Sequence, residues 1–320
     1  MKPDTVLVVT NKHDEHACYV IHHLNKYGIS VFRLNTEDFP TEIELNLTKI
    51  GSSLHYHGRT LYHGDIMSCW YRRPTESGID PSITDAGAQT FVRDESWFVL
   101  NAYYRTLNKS MTWVSHPDAL ARAKFKPVQL HIAERTPGFF VPRTLVTNSP
   151  KRAKRFLRQN NNQIIVKVAG RGPVTIPSDK VVYSNLVTSS DADLLDAVVF
   201  APHLLQEYVE KAFEVRLTII GKQVFAAKID SQSCETTKID WRRPGITDVK
   251  HEPIEPPEHI SKGSLLMLER FGLNYGAFDF IVTPRGDWVF LELNPNGQFL
   301  WIEELTGLPM THALIQLLRS

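Results

Sequence analysis

The apolar positions of the first forty residues change period twice. "TVLVVTN" (5–11) is an unbroken apolar run of strand length, whereas Ala17, Val20, Ile21 and Leu24 recur at the spacing of one helix face between Glu15 and Tyr27. Gly28 stops that helix, and "SVFRLN" (30–35) predicts a second strand. Strand, helix and strand in this order predict a small parallel sheet covered by helices. No G-x-G-x-x-G follows the first strand, so no dinucleotide site is expected there. Short alternating runs over 41–73 predict added strands. A long helix is expected over 84–107, then a strand near "TWVSH".

Downstream, Asp118 caps a helix, Pro127 opens the next, and residues 136–138 end it. "NNNQIIVKVAG" (160–170) is a polar turn feeding a buried strand, and "HLLQEYV" (203–209) is another strand. "FEVRLTIIGKQVFAAKID" (213–230) predicts a hairpin with Gly221 and Lys222 at its tip, and a helix follows over 260–271. The last hairpin joins "GAFDFIV" (276–282) to "WVFLELN" (288–294) through "TPRGD". With 284–287 as a four-residue loop, Thr283 faces Trp288 and Asp279 stands opposite Glu292. Side chains alternate along a strand, so Asn294 shares the face of Glu292.

Like charges directly opposite in a sheet repel, and burying them unpaired costs more. A hard divalent cation such as magnesium resolves the conflict through carboxylate and amide oxygens. The alternatives are a solvent-facing strand or an arginine bridging the pair. Lys167 lies inside an apolar strand and is followed by Gly170 and Gly172. A phosphate would satisfy both the buried ammonium and the turned N–H groups of a glycine loop, although a snorkelling lysine beside a surface loop fits the same residues. No Walker loop is present. "LLQEYVE" ends a strand in Glu207, Tyr208 and Val209, with Glu214 seven residues beyond Glu207, a segment able to offer backbone groups to an adenine edge and a carboxylate to ribose.

Composition narrows the classes. The chain has 320 residues, 42% hydrophobic and 22% charged, enough for a real core and two or three subdomains. Lys and Arg number 36 against 35 Asp and Glu, leaving +1 and no global pull toward nucleic acid or a membrane surface. Without a signal-like or spanning segment, a cytoplasmic location is expected. Cys18, Cys69 and Cys234 have no pairing or zinc-site spacing. His22 with His23, and His55 with His57, predict no metal site. The basic run "PKRAKRFLRQ" (150–159) is either a solvated helix face or an attractor for an acidic peptide, and "WYRRP" (70–74) either a strand-end site or a structural corner. No serine-nucleophile elbow or H-E-x-x-H occurs.

The order of these features, a lysine strand with a glycine loop, a Q-E-x-V segment, then Asp and Glu-x-Asn on a terminal hairpin, resembles the ATP-grasp superfamily. "WVFLELNPNGQFLWIEELTGLP", with "CWYRRP" (69–74) and "SCETTKIDWRRP" (233–244), is similar to the ATP-grasp maturases of microviridin-type ribosomal peptides, the graspetide synthetases. The resemblance implies an α/β (α+β) ATP-grasp fold. Its divisions would be a pre-ATP-grasp domain over 1–115, a central subdomain over 116–200 and a C-terminal subdomain over 201–320. It implies that Lys126, Lys167 and the loop Gly170, Arg171 and Gly172 hold ATP phosphates, that Glu207, Tyr208 and Val209 hold adenine, and that Glu214 holds ribose. Asp279, Glu292 and Asn294 would bind Mg2+, and Arg216, Lys228 and Arg242 would act at the reaction centre. Related ligases often carry Arg where Lys228 stands, and a lysine offers no planar fork. The implied reaction activates a side-chain carboxylate of a precursor peptide, leader plus core, as an acylphosphate, and a Ser or Thr hydroxyl or a Lys amine closes the ring. A homodimer is expected. A RimK-like or glutathione-synthetase-like ligase adding a free amino acid, and a nucleotide-binding regulator without turnover, are the alternatives.

Overall fold

The computed structural model describes residues 3–170, 175–176, 180–181, 183–242 and 249–320. The chain divides into two compact units, one formed by Met1–Ala119, Gly272–Tyr275 and Pro309–Ser320, the other by Leu120–Phe271 and Gly276–Leu308.

In the first unit, β1 (Thr5–Thr10) is buried at every position, as its unbroken apolar run requires. The helix α1 (Glu15–Lys26) is capped by Asp14, whose carboxylate accepts from the Ala17 N–H. Gly28 then adopts φ 69°, and the chain returns as β2 (Ser30–Asn35) beside β1. The strands β3 (Glu44–Thr48), β4 (Gly51–Tyr56) and β5 (Arg59–Tyr62) form a separate antiparallel sheet. Then β6 (Ile66–Tyr71) enters the main sheet, α2 (Ala86–Thr106) crosses over, and β7 (Thr112–Val114) completes the parallel order β2-β1-β6-β7. Leu7, Phe32, Leu34, Tyr103, Tyr104 and Trp113 make up much of its core. Arg72 is 2% exposed and faces the Asp14 carboxylate at 3.7 Å, while Asp14 also accepts from the Thr10 hydroxyl at 2.7 Å. "WYRRP" is thus a structural corner.

α3 (Pro117–Ala123) crosses the point of division, and α4 (Lys126–Ala133) opens the second unit with Pro127 in its first turn. There follow β8 (Thr144–Thr147), α5 (Pro150–Gln159), β9 (Gln163–Val168), the short strands β10 (Thr175–Ile176) and β11 (Lys180–Val181), β12 (Asn185–Thr188) and β13 (His203–Glu207). Four of these form one sheet in the order β12-β9-β13-β8. α5 buries Ala153 and Leu157 against it and leaves Lys151, Arg152, Arg155 and Arg158 exposed, so the basic run is the outer face of a helix.

The second sheet contains β14 (Phe213–Ile220), β15 (Gln223–Ile229), β16 (His251–Pro253), β17 (Tyr275–Val282) and β18 (Trp288–Asn294) in the order β16-β15-β14-β17-β18. The helices α6 (Glu258–Phe271) and α7 (Leu300–Thr306) lie in this unit, and α8 (Met310–Leu318) belongs to the first.

The expected division at 200 separates β13 from β8 and β9, the two strands it hydrogen-bonds. The expected C-terminal span to 320 is also corrected. α8 returns to the first unit, where the Ser68 hydroxyl donates to the Leu318 carbonyl at 2.7 Å. Sheet neighbours, unlike sequence neighbours, set these boundaries.

The last hairpin departs from its expected register at the tip. Val282, not Thr283, faces Trp288, which makes the loop one residue longer, and a bulge beside Asp279 and Phe280 adds Leu291 to β18. The two departures cancel. Asp279 stands opposite Glu292, as expected from a shorter loop and no bulge. Without the bulge, the shifted register would have turned Glu292 to the other face of the sheet.

Candidate active site

Lys167 points from β9 into a cavity of the second unit, and its ammonium donates to Gln206 Oε1 at 2.8 Å on the adjoining β13. Burial lowers the lysine to about 8, while the charge of Glu292 opposes that shift. Gly170 follows β9; Arg171 and Gly172, expected to complete the phosphate loop, lie outside the described residues. Lys126 is at the first turn of α4, with Nζ 2.9 Å from Glu292 Oε2.

The carboxylate pair lines the same cavity from the hairpin of β17 and β18. Arg216 Nε donates to Asp279 Oδ1 at 2.7 Å, and these side chains are 6% and 7% exposed as residues. Asn294 Nδ2 donates to Asp279 at 3.1 Å and to Glu292 at 3.2 Å. Burial drives both carboxyls up, but Lys126 and Arg242 outweigh it at Glu292, whose pKa falls. At Asp279 burial prevails over Arg216, and the Glu292 charge adds to the rise. Glu292 is therefore the ionised member, and Asp279 the one that holds a proton more readily.

Arg216 takes the place the alternative reading gave to an arginine, but it pairs with Asp279 alone and does not bridge to Glu292, which Lys126 answers. Its guanidinium lies against the rings of Trp241 and Trp301, at 5.3 and 5.8 Å, and serves as an internal counter-ion. The juxtaposed carboxylates are thus already compensated, and their repulsion alone does not require a metal. The donor set still fits magnesium: Asp279 and Glu292 line a cavity that also holds Lys126 and Lys167, and the Asn294 amide touches both carboxylates. Ligation through Asn294 requires its amide oxygen where its nitrogen now donates. Among the described residues no group of three or more His, Cys, Asp or Glu is placed to hold a metal.

Arg242 grips Asp240 with both Nε and Nη2, at 2.8 and 2.7 Å, and its Nη1 is 3.8 Å from Glu292. Burial would raise the Asp240 carboxyl, but Arg242 holds it down to about 2. Asp240 also accepts from the Ser184 N–H at 3.0 Å, tying the start of β12 to the arginine.

At the other end, Glu207, Tyr208 and Val209 line the cavity, but the Glu207 carboxylate is taken by Arg143, 2.7 Å away. The Glu207 carboxylate is therefore already engaged within the protein. Glu214, 4% exposed, also lines the cavity, with Lys211 Nζ at 2.6 Å; burial raises its pKa while Lys211 opposes.

Lys228 does not join the site. It pairs in register with Val215, so it lies on the face of the β14–β15 hairpin opposite Glu214 and Arg216, with its ammonium over the Phe213 ring at 4.9 Å. Residue parity along the predicted hairpin already contained that answer. Gln129, Arg143, Lys211 and Asp240 were missed. Asp240 stood in the quoted "KIDWRRP", whereas Gln129, Arg143 and Lys211 carry no local signal, because their partners are distant in sequence or turned by a loop.

Residues 5–120 match the MvdD pre-ATP grasp domain. The crystal structure of macrocyclase MdnC from Microcystis aeruginosa, bound with precursor peptide MdnA, is 31% identical, with 99% of each chain covered and a TM-score of 0.85. This chain belongs to the ATP-grasp peptide macrocyclases. A RiPP-associated ATP-grasp ligase from Chryseobacterium gregarium, in complex with ADP and a leader and core peptide, is 28% identical to this macrocyclase over 98% of it and 96% of that chain, with a TM-score of 0.89. The ribosomal protein bS6–L-glutamate ligase of Salmonella paratyphi B is 24% identical over 289 residues, 87% of this chain and 84% of its own.

Proposed function

We propose that the enzyme closes rings in a ribosomally made precursor peptide that carries a leader and a core. The γ-phosphoryl group of ATP passes to a Glu or Asp side-chain carboxylate, giving ADP and an acylphosphate. A Ser or Thr hydroxyl, or a Lys amine, then attacks the acyl carbon, phosphate leaves with the C–O bond electrons, and the nucleophile gives up its proton. An ester or amide ring results. The observation that carries this reading is the convergence of Lys126, Lys167, Arg242, Asp279 and Glu292 on one cavity, with the Asn294 amide hydrogen-bonded to both carboxylates, in a chain alike over its whole length to a peptide macrocyclase.

Phosphoryl transfer needs positioning and charge neutralisation more than a protein nucleophile. Lys167 and Lys126 hold phosphate oxygens, and Arg242 faces the acyl-phosphate or the substrate carboxylate. Asp279, Glu292 and Asn294 hold Mg2+, which when bound supplies positive charge at the phosphates. The backbone at Glu207 and Val209 holds adenine, and Glu214 accepts from ribose hydroxyls once Lys211 fixes its carboxylate. Three free thiols and a requirement for ATP fit the cytoplasm. We assign a homodimer, which light scattering in solution tests. Among the described residues no helix is long and apolar enough to cross a membrane.

Incubation with a candidate precursor, ATP and magnesium should remove one water from the peptide per ring, read by mass spectrometry, with ester rings reopening in mild base. Glu292→Gln should keep the fold and lower ring closure by orders of magnitude; undiminished turnover would overturn the assignment. The likeness to a glutamate ligase favours, as second reading, addition of a free amino acid. ADP release driven by free glutamate, with no loss of water from the precursor, would select it.

A further inference from the structure

Gln129 is 2% exposed on α4, and its carboxamide is fully engaged. Oε1 accepts from the Leu293 N–H at 2.9 Å, while Nε2 donates to the Leu293 carbonyl at 2.7 Å and to the Ala123 carbonyl at 2.6 Å. The orientation of the amide follows from its partners, because an N–H can only donate and a carbonyl can only accept.

β18 is the last strand of its sheet, so its outer backbone groups face away from β17. Gln129 presents an acceptor and a donor to one residue of that edge, as a neighbouring strand would. Leu293 lies between Glu292 and Asn294. Lys126 is three residues before Gln129, on the same side of α4, and reaches Glu292 at 2.9 Å. One turn of helix thus grips two consecutive residues of the strand that carries two of the three expected magnesium ligands.

We propose that Gln129 is a positioning residue that pins β18 to α4, so that Lys126, Glu292 and Asn294 keep the mutual placement that the nucleotide phosphates require. It does not line the cavity and acts through the groups it holds. This proposal rests on the nucleotide site assigned above.

The test is calorimetric titration with ADP, alongside deuterium exchange at the Leu293 amide and a thermal melt. Gln129→Met keeps length and removes the hydrogen bonds. It should speed exchange at Leu293 and weaken ADP binding tenfold or more in a cooperatively folding protein. In a Lys126→Met background the same substitution should change ADP affinity less than twofold, because Lys126, the one cation of that set able to meet the phosphates directly, is gone. A lowered melting temperature with ADP affinity within twofold of wild type would reduce Gln129 to a structural residue and overturn the proposal. If the Met variant fails to fold, Gln129→Glu serves instead. Its carboxylate accepts from Leu293 N–H but gains a donor only on protonation, so ADP affinity relative to wild type at the same pH should recover between pH 7.5 and pH 5.5. The same ratio to wild type at both pH values would overturn the proposal as well. Normal ADP binding without ring closure would sink the peptide reading and leave this one standing; a wild-type chain that binds no ADP would sink both.

Discussion

Burial holds the Lys167 ammonium at about 8, so a bound phosphate gains most below that pH, where the lysine carries its proton. Nucleotide binding favours the charged form, and affinity should fall as pH rises through 8. Lys167→Met should weaken ADP about 10- to 100-fold, from the roughly 1.5–3 kcal/mol of a charged hydrogen bond, and should abolish that pH dependence. Titration at pH 7 and pH 9 checks both. Asp279 offers a different test, since Asp279→Asn leaves the Arg216 guanidinium buried without its carboxylate. Removing one partner of a buried pair costs roughly 3–5 kcal/mol. A denaturant melt should show that loss, and adding Arg216→Met should recover part of the stability without restoring ring closure.

The last hairpin shows how an element reaches the right pairing by a route its sequence does not reveal. The alternation of "GAFDFIV" and "WVFLELN" was legible, and so was the meeting of Asp279 with Glu292; the longer loop and the compensating Leu291 bulge were not. Side-chain alternation is local, whereas a bulge is settled by what packs on both faces of the sheet. Beyond Asn294 the chain turns back so closely that a Cβ on Gly297 would lie 2.6 Å from Ala277 Cβ and 3.3 Å from Asn294 Cβ. Gly297→Ala should therefore cost roughly 1–3 kcal/mol and displace Asn294. Loss of stability together with weaker magnesium dependence of ring closure would agree; a neutral effect on both would not. Among the candidate site residues, Lys228 failed on parity alone. Glu207 reached the cavity with its carboxylate already held by Arg143.

At the scale of the whole chain, the first unit is closed by a segment nearly two hundred residues away in sequence from its sheet. α8 buries Met310, Ala313, Leu314, Ile315 and Leu318. At roughly 1.5–3 kcal/mol for each large apolar side chain, their loss matches the whole stability of an ordinary domain. Truncation after Leu308 should leave residues 3–119 without a cooperative melt, measured by calorimetry, and a retained transition would contradict that dependence. From the sequence by itself came the strand and helix periods, the family resemblance, and the short patterns holding Lys167, Asp279, Glu292 and Asn294, because each is written in neighbouring residues. Only the tertiary structure decided that Arg216 neutralises Asp279, that Gln129 fastens Leu293, and that α8 belongs with the first unit. Such contacts join residues 63, 164 and 250 positions apart, and their energies depend on burial that no local window of sequence records.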